Sequence, residues 1–392
     1  MRKHLFRLPE DLVYLDGNSL GPLPAAARAR LARTVDDEWG AMLIGGWNEA
    51  GWMEQPMRLG DRIGRLIGAP PGSVALGDTL SVKVHQALAA ALEMRPERRI
   101  VLSDTGNFPT DLYMAEGLIR SLDRGHRLET VAPEAVAERL ADDVAVLLLT
   151  HVDYRTGRMH DMAALTRAAQ DAGAVVIWDL AHSAGAMALD LAASGAEFAV
   201  GCTYKYLNGG PGAPAFIAVR PDIAGSVRPA LAGWLGHDAP FAFEPDYRPA
   251  EGVARMRVGT PPVLQMAALD AALDAFDGVD MDELRRRSVV LSQLFIGEVE
   301  RRCPELRLVS PRDPAERGSQ VSFAFEHGYA AMRALVEAGV VGDFRAPDIM
   351  RFGFTPLYIE EADVMRAVGV LEGVMREERW REPRFHARAA VT

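Results

Sequence analysis

A chain of 392 residues, 49% hydrophobic and 25% charged, can bury more core than one domain usually holds, so one large and one smaller domain are expected. Its 43 Lys and Arg against 54 Asp and Glu leave a net charge of −11 with no long block of one sign, which argues against nucleic acid or an anionic membrane surface and for small-molecule partners. Cys202 and Cys303 make neither a disulfide framework nor a CxxC metal cluster, and the opening MRKHLFRLPEDLVYLD lacks the apolar stretch of a signal peptide, so a cytoplasmic protein without membrane spans is expected.

From about residue 60 to 220, strand-like and helix-like patterns alternate. SVALGDTLSVKVHQALAAAL passes from a short strand through Gly77-Asp78-Thr79 into an alanine-rich helix. Leu80 and Ser81 then lie at a helix N-terminus, where free amides and the dipole favour a phosphate; Thr79 or Ser81 as an ordinary cap is the competing reading. RRIVLSD (98–104), DVAVLLLT (143–150), AGAVVIWD (172–179) and EFAVGCT (197–203) read as strands, separated by helical stretches such as MAALTRAAQDAG. This is the βαβ signature of an α/β protein whose mostly parallel sheet is covered by helices on both faces. After a turn-rich stretch, MDELRRRSVVLSQLFIGEVERRC reads as a long amphipathic helix opening a smaller α+β C-terminal domain. SQVSFAFEH and IMRFGFTPLY supply its strands, and WREPRFHARAAVT reads as a loose tail.

Two of the predicted strands end abruptly in polar residues, AVVIWDLAHSAGA at Asp179 and FAVGCTYKYLNGG at Lys205. Carboxyl strand ends are where open α/β sheets bind ligands. A buried carboxylate can hold the ring nitrogen of pyridoxal phosphate protonated, and a lysine in an apolar pocket can form a Schiff base with its aldehyde. Such a site also needs a phosphate cradle, for which Leu80 and Ser81 are candidates, and a ring-stacking surface, for which Phe108 in SDTGNFPTDLYMAEGL is placed. Asp111, Thr150 and His182 lie on loops or strand ends of the same edge. Phe108, Asp111 and His182 each have a plainer reading: core, a dipole-favoured helix residue and a structural histidine.

DLAHSAG, TYKYLNGG, the NFPTD loop, PALAGWLGH and the opening YLDGNSLGPLP together closely resemble the kynureninase family of fold-type I pyridoxal-phosphate enzymes, from about residue 14 to residue 375. The resemblance implies the fold-type I transferase fold. Residues 1–60 would be an N-terminal segment contributing to the active site and small domain, 61–270 the large pyridoxal-phosphate-binding domain, 271–380 the small C-terminal domain and 381–392 a tail. It implies that Lys205 links covalently to pyridoxal 5′-phosphate and serves as the proton-transferring base, and that Asp179 pairs with the ring nitrogen. Tyr204, Leu80, Ser81, Trp234 and Thr260 would surround the phosphate, Trp234 and Thr260 reaching across from the other subunit of a homodimer. Phe108 would stack on the ring, Asp111, Thr150 and His182 would complete the pocket, and Arg351 would clamp the substrate α-carboxylate bidentately.

The implied reaction is hydrolytic Cβ–Cγ cleavage of L-kynurenine to anthranilate and L-alanine, a step of tryptophan catabolism, with Tyr204 as a late proton donor. Where animal members carry a histidine and a Ser-Asn pair, this chain has Trp47 and Gly259-Thr260. Indole and glycine offer few polar groups, so an unsubstituted ring is expected to be preferred over the 3-hydroxy form. Competing readings on the same fold are a cysteine desulfurase-like lyase, which needs a nucleophilic cysteine on a mobile loop that neither Cys202 nor Cys303 suits, and an aminotransferase. A non-catalytic pyridoxal-phosphate sensor would lack the lysine or the clamp.

Overall fold

The computed structural model describes residues 2–387. Its centre is a seven-stranded sheet of β1 (Val74–Leu76), β2 (Ile100–Asp104), β3 (Arg127–Val131), β4 (Val144–Thr150), β5 (Val175–Asp179), β6 (Phe198–Gly201) and β7 (Phe216–Val219). The spatial order is β1-β7-β6-β5-β4-β2-β3. Every residue of β4 and β5 is buried, because helices cover both faces and a strand buried on both sides reads as an unbroken apolar run. Alternate side chains enter opposite cores: Leu147, Leu149, Val176 and Trp178 pack in one, and Val146, Leu148, Val175 and Ile177 in the other.

The neighbours from β3 through β6 are parallel, as the βαβ pattern requires. β7 is antiparallel to β6, and β1 is antiparallel to β7. The two reversals cancel, so β1 runs in the direction of β6. The helix that follows it, Leu80–Glu93, therefore starts at the same edge where β4, β5 and β6 end.

A second, antiparallel sheet lies toward the C-terminus, built from β8 (Arg307–Leu308), β9 (Gln320–Ala324), β10 (Asp343–Arg345) and β11 (Ile349–Gly353) in the order β8-β9-β11-β10. Helix Met281–Arg302 packs on it through Phe295, which contacts Phe352 and Phe354 with ring centroids 4.9 and 5.2 Å apart. The Asp280 carboxylate caps this helix, accepting from the Asp282 and Glu283 amides. The N-terminal segment crosses between the two sheets. Val13–Tyr14 pairs in parallel with Val340–Val341, the Leu15 carbonyl accepts from the Gly353 amide at 2.7 Å, and the Gly21 amide donates to the Tyr204 carbonyl at 2.8 Å.

No helix among the described residues is long and apolar enough to cross a membrane. No group of three or more His, Cys, Asp or Glu among them could hold a metal ion.

The end of the chain departs from the expected loose tail. Trp380 stacks on His327 with centroids 4.4 Å apart, and Phe385 is 3% exposed against the core. Two aromatic anchors in a strongly charged segment suffice to dock it, and charge-rich composition hid them. Residues 388–392 of the expected tail lie outside the described residues. Phe385→Ala should lower stability by about 3 kcal/mol, seen as an earlier urea or thermal midpoint; an unchanged midpoint would mean that this segment is not docked in solution.

Candidate active site

Asp179 ends β5 and is 1% exposed, with Oδ1 accepting the Ala181 amide at 2.8 Å. Burial raises its carboxyl to about 6, although the Lys205 amine, the Ala181 amide and Asp111 all pull the other way. Asp111 lies beside it in the first turn of helix Pro109–Leu122, fully buried, with neither oxygen bonded to a donor group of the protein. Burial and the charge of Asp179 hold Asp111 well above the ordinary carboxylate range. Two carboxyls so placed oppose each other's ionisation, and Asp111 is the one held further toward its protonated form.

Lys205 lies four residues past β6 and is half-buried. Its Nζ is 5.8 Å from the Phe108 ring centroid and 5.9 Å from that of Tyr204. Phe108 is held by its neighbour Asn107, whose Oδ1 accepts from both the Phe108 amide and the Thr150 hydroxyl and whose Nδ2 donates to Ser103 Oγ at 2.9 Å. Asn107 does not stand out in the NFPTD loop, since asparagine in a loop carries no special signal. His182 is fully buried with Nδ1 unpartnered. Burial, then the positive charges of Lys205 and Arg351, hold it well below its ordinary range, so the ring is neutral.

Helix Leu80–Glu93 begins at Thr79, whose side chain makes no capping bond, which sets aside the simple cap reading of that residue. Gly77 at φ 151° and Asp78 at φ 57° form the turn that leads into it. Beneath that turn Lys83 is fully buried, donating to Asp78 Oδ2 at 3.2 Å, Gln86 Oε1 at 3.0 Å and the Met256 carbonyl at 3.2 Å. Sequence reasoning missed it because a lysine in a helix is usually solvated.

Arg351 is 1% exposed, so its ion pair is a buried one. Its partner is Asp343, directly opposite across the β10–β11 register. Arg351 Nε donates to Asp343 Oδ1 at 2.6 Å and Nη2 to Oδ2, Nη2 also reaches Ser19 Oγ at 3.0 Å, and Nη1 donates to the Tyr154 carbonyl.

Trp234, Gly259, Thr260 and Trp47 form a separate group. Trp234 is 38% exposed and meets Phe241 edge-on at 5.8 Å. The two loops lie against one another, since the Leu235 amide donates to the Val258 carbonyl at 3.2 Å and a Cβ on Gly233 would come within 2.1 Å of that oxygen. Gly259 faces open space and Thr260 is exposed. Trp47 is half-buried edge-on to Trp52 at 5.9 Å, in a segment tied to the Val258 loop by Arg257 on the Met53 carbonyl at 3.0 Å. Among the described residues, no hydrogen bond or ring contact joins these four to Lys205. Cys202 and Cys303 are both buried, and burial raises both thiols, so neither is available as a nucleophile.

A family model described as the kynureninase C-terminal domain matches residues 284–371. The chain is 50% identical to a kynureninase of Pseudomonas fluorescens over 99% of its own length and 95% of that protein, and 49% identical to kynureninases of Burkholderia pseudomallei over the same shares. Among solved structures it resembles an apo cysteine desulfurase of Thermococcus onnurineus at TM-score 0.78 and 17% identity, covering 96% of this chain and all of that one. A cysteine desulfurase of Escherichia coli matches at TM-score 0.80 and 18% identity, over 96% of this chain and 98% of that one. At such identity these two share the fold alone.

The buried carboxyl pair sets a pH dependence. A carboxyl raised in the folded state binds more protons there than in the unfolded chain, so its ionisation opposes folding and stability falls as pH rises from about 3.8 through about 6. Asp179→Asn removes that contribution. In the cofactor-free protein, the variant should therefore gain stability relative to wild type across this window in urea titrations; a constant difference with pH would count against the raised pair.

Proposed function

The chain belongs to the kynureninase family, and from that footing we propose that Lys205, Asp179 and the side chains gathered around them are where it performs the family's reaction. That reaction is hydrolysis of the Cβ–Cγ bond of L-kynurenine to anthranilate and L-alanine, with pyridoxal 5′-phosphate as cofactor. The observation that carries the assignment is the carboxyl pair buried under Lys205: Asp111 has no donor and Asp179 has one amide, so the site is short of the cation and N–H that a protonated pyridine ring brings. The residues fit the cofactor in two further respects. The Leu80 and Ser81 amides open a helix with no side-chain cap, which suits a phosphate, and Phe108 offers a partly exposed ring face near Lys205 Nζ.

Leu80, Ser81 and Tyr204 would hold the phosphate, with Trp234 and Thr260 supplied by a second copy of the chain. Phe108 and His182 would cover the ring, Asp111 and Thr150 would complete the pocket, and Asp179 would keep the ring nitrogen protonated. When bound, the cofactor supplies an electron sink that makes the substrate Cα proton, and then the β-position, acidic. Lys205 Nζ takes the Cα proton and returns it. Arg351 receives the α-carboxylate and thereby orients the Cα–H bond toward Lys205. Cys202 next to it, together with burial, holds the Tyr204 phenol above its ordinary range, so Tyr204 Oη stays protonated at neutral pH and is able to deliver a proton to the alanyl carbon after the bond breaks. Neutral His182 presents no charge competing with Lys205.

A homodimer fits the separation of Trp234 and Thr260 from Lys205 and the exposure of Trp234, Phe241 and Phe243 at 38%, 61% and 79%. We take residues 61–270 as the large domain and 271–380 as the small one, with 1–60 serving both, a reading supported by one sheet lying in each range, and a cytoplasmic setting suits free thiols. Trp47 and Gly259 would shape the aryl pocket.

Purified protein should show a visible absorbance band that Lys205→Ala abolishes, and that variant should lose anthranilate formation by about a thousandfold or more. Tyr204→Phe should lower kcat by about a hundredfold with cofactor affinity nearly intact, whereas equal turnover would remove its proton-donor role. Added 2-oxo acid should leave the rate unchanged, unlike that of an aminotransferase. For ring preference, kcat/KM should favour L-kynurenine over its 3-hydroxy form by about tenfold or more; parity would show that Trp47 and Gly259 do not discriminate.

A further inference from the structure

The donors of Arg351 are committed unevenly. A guanidinium has five N–H groups. Nε–H and one Nη2–H are taken by the two oxygens of Asp343, the second Nη2–H points to Ser19 Oγ, and one Nη1–H goes to the Tyr154 carbonyl. One Nη1–H remains. Asp343 is 3% exposed; burial alone would raise its carboxyl, but Arg351 and Arg345 outweigh this and hold it below the ordinary range, so it stays ionised. Arg345 Nη2 adds a third contact at 2.9 Å. The backbone reinforces the pairing, because Asp343 and Arg351 are cross-strand partners on adjacent strands and neither can move without the sheet. Ser19 is different. It lies on the N-terminal segment, and its hydroxyl also donates to Asp343 Oδ2, so it can turn away from Arg351 without being stranded.

We propose that Asp343 is a positioning residue that permanently occupies the Nε–Nη2 edge of Arg351, so that the substrate α-carboxylate is taken by the Nη1–Nη2 edge as the Ser19 hydroxyl swings aside. This rests on the reading of Arg351 as the carboxylate clamp. A buried guanidinium without Asp343 would carry an uncompensated charge and could turn about its own stem, and a bidentate grip depends on the fork being held in one plane. Asp343 thus sets which edge of the clamp faces the substrate while never touching it.

The test uses the holoenzyme. Asp343→Asn keeps the shape but replaces one of the two accepting oxygens with an NH2 donor and removes the charge, so KM for L-kynurenine should rise about tenfold or more while kcat stays within about threefold. Equilibrium affinity for a substrate analogue bearing the α-carboxylate should fall in parallel, and affinity for the amine that lacks it should not; equal losses for both would reduce Asp343 to a structural role and overturn the proposal. Arg351→Lys separates the two layers: unchanged KM in that variant removes the clamp itself, whereas raised KM there with normal KM in Asp343→Asn removes only the positioning role. Should Asp343→Asn not fold, the wild-type enzyme with isotopically labelled arginine answers the same question. The Arg351 Nε–H resonance, identified by its loss in Arg351→Lys, should persist unshifted when the carboxylate-bearing analogue binds, and its displacement would show that the ligand takes the Asp343 edge.

Discussion

Asp179 ends a strand buried on both faces, and a carboxylate held there is costly unless positive charge and N–H donors share the site. Much of the candidate site can be understood as an answer to that cost. Lys205 stands on the adjacent strand's extension, the Ala181 amide turns back to Oδ1, and Asp111 is held toward its protonated form. None of these completes the coordination, and the shortfall that remains is one the proposed ring nitrogen would meet. Around that point the sheet edge supplies the rest: a helix N-terminus with uncapped amides, a ring held by Asn107, and a neutral buried histidine.

The N-terminal segment links this point to the second sheet. The Gly21 amide holds the Tyr204 carbonyl, and a Cβ at Gly21 would meet the Lys205 carbonyl and Asn208 Oδ1 at 2.5 Å, so only glycine allows this approach. A few residues earlier, Leu15 is bonded to Gly353, at the end of the strand that carries Arg351. One short stretch therefore fixes the lysine segment and the arginine strand relative to each other, and it contributes Ser19 between them. The distance between the proposed proton-transferring base and the proposed clamp is set by backbone hydrogen bonds and does not depend on side-chain packing alone.

The central strands were legible because burial on both faces leaves continuous apolar runs, as in VAVLLLT, and because such strands end where polar chemistry begins, at Asp179 and shortly before Lys205. β3 and β7 went unnoticed for different reasons. Arg127–Val131 is an edge strand that is partly exposed along its whole length, and Phe216–Val219 is too short and too close to a glycine-rich loop for its period to register. Of the site, the residues inside dense motifs could be read, whereas Asp343 and Lys83 could not. Each matters through a partner brought by folding: Asp343 through a cross-strand register and Lys83 through the Met256 carbonyl. The tail was misjudged because two aromatic rings outweighed a charged sequence around them.

The double reversal at the sheet's edge has a bearing on how the molecule is built. β1 is first of the seven strands in the chain, yet its partner in the sheet is β7, the last of them. Ribosomal synthesis thus delivers Val74–Leu76 long before the strand it must pair with, and the parallel strands between them close over shorter loops. The helix start proposed for the phosphate follows β1, so it reaches its place at the sheet edge only when residues 216–219 have joined the sheet. A half-made chain holds the pieces of the site but cannot assemble them, and retention of the cofactor becomes a report that the whole sheet has closed.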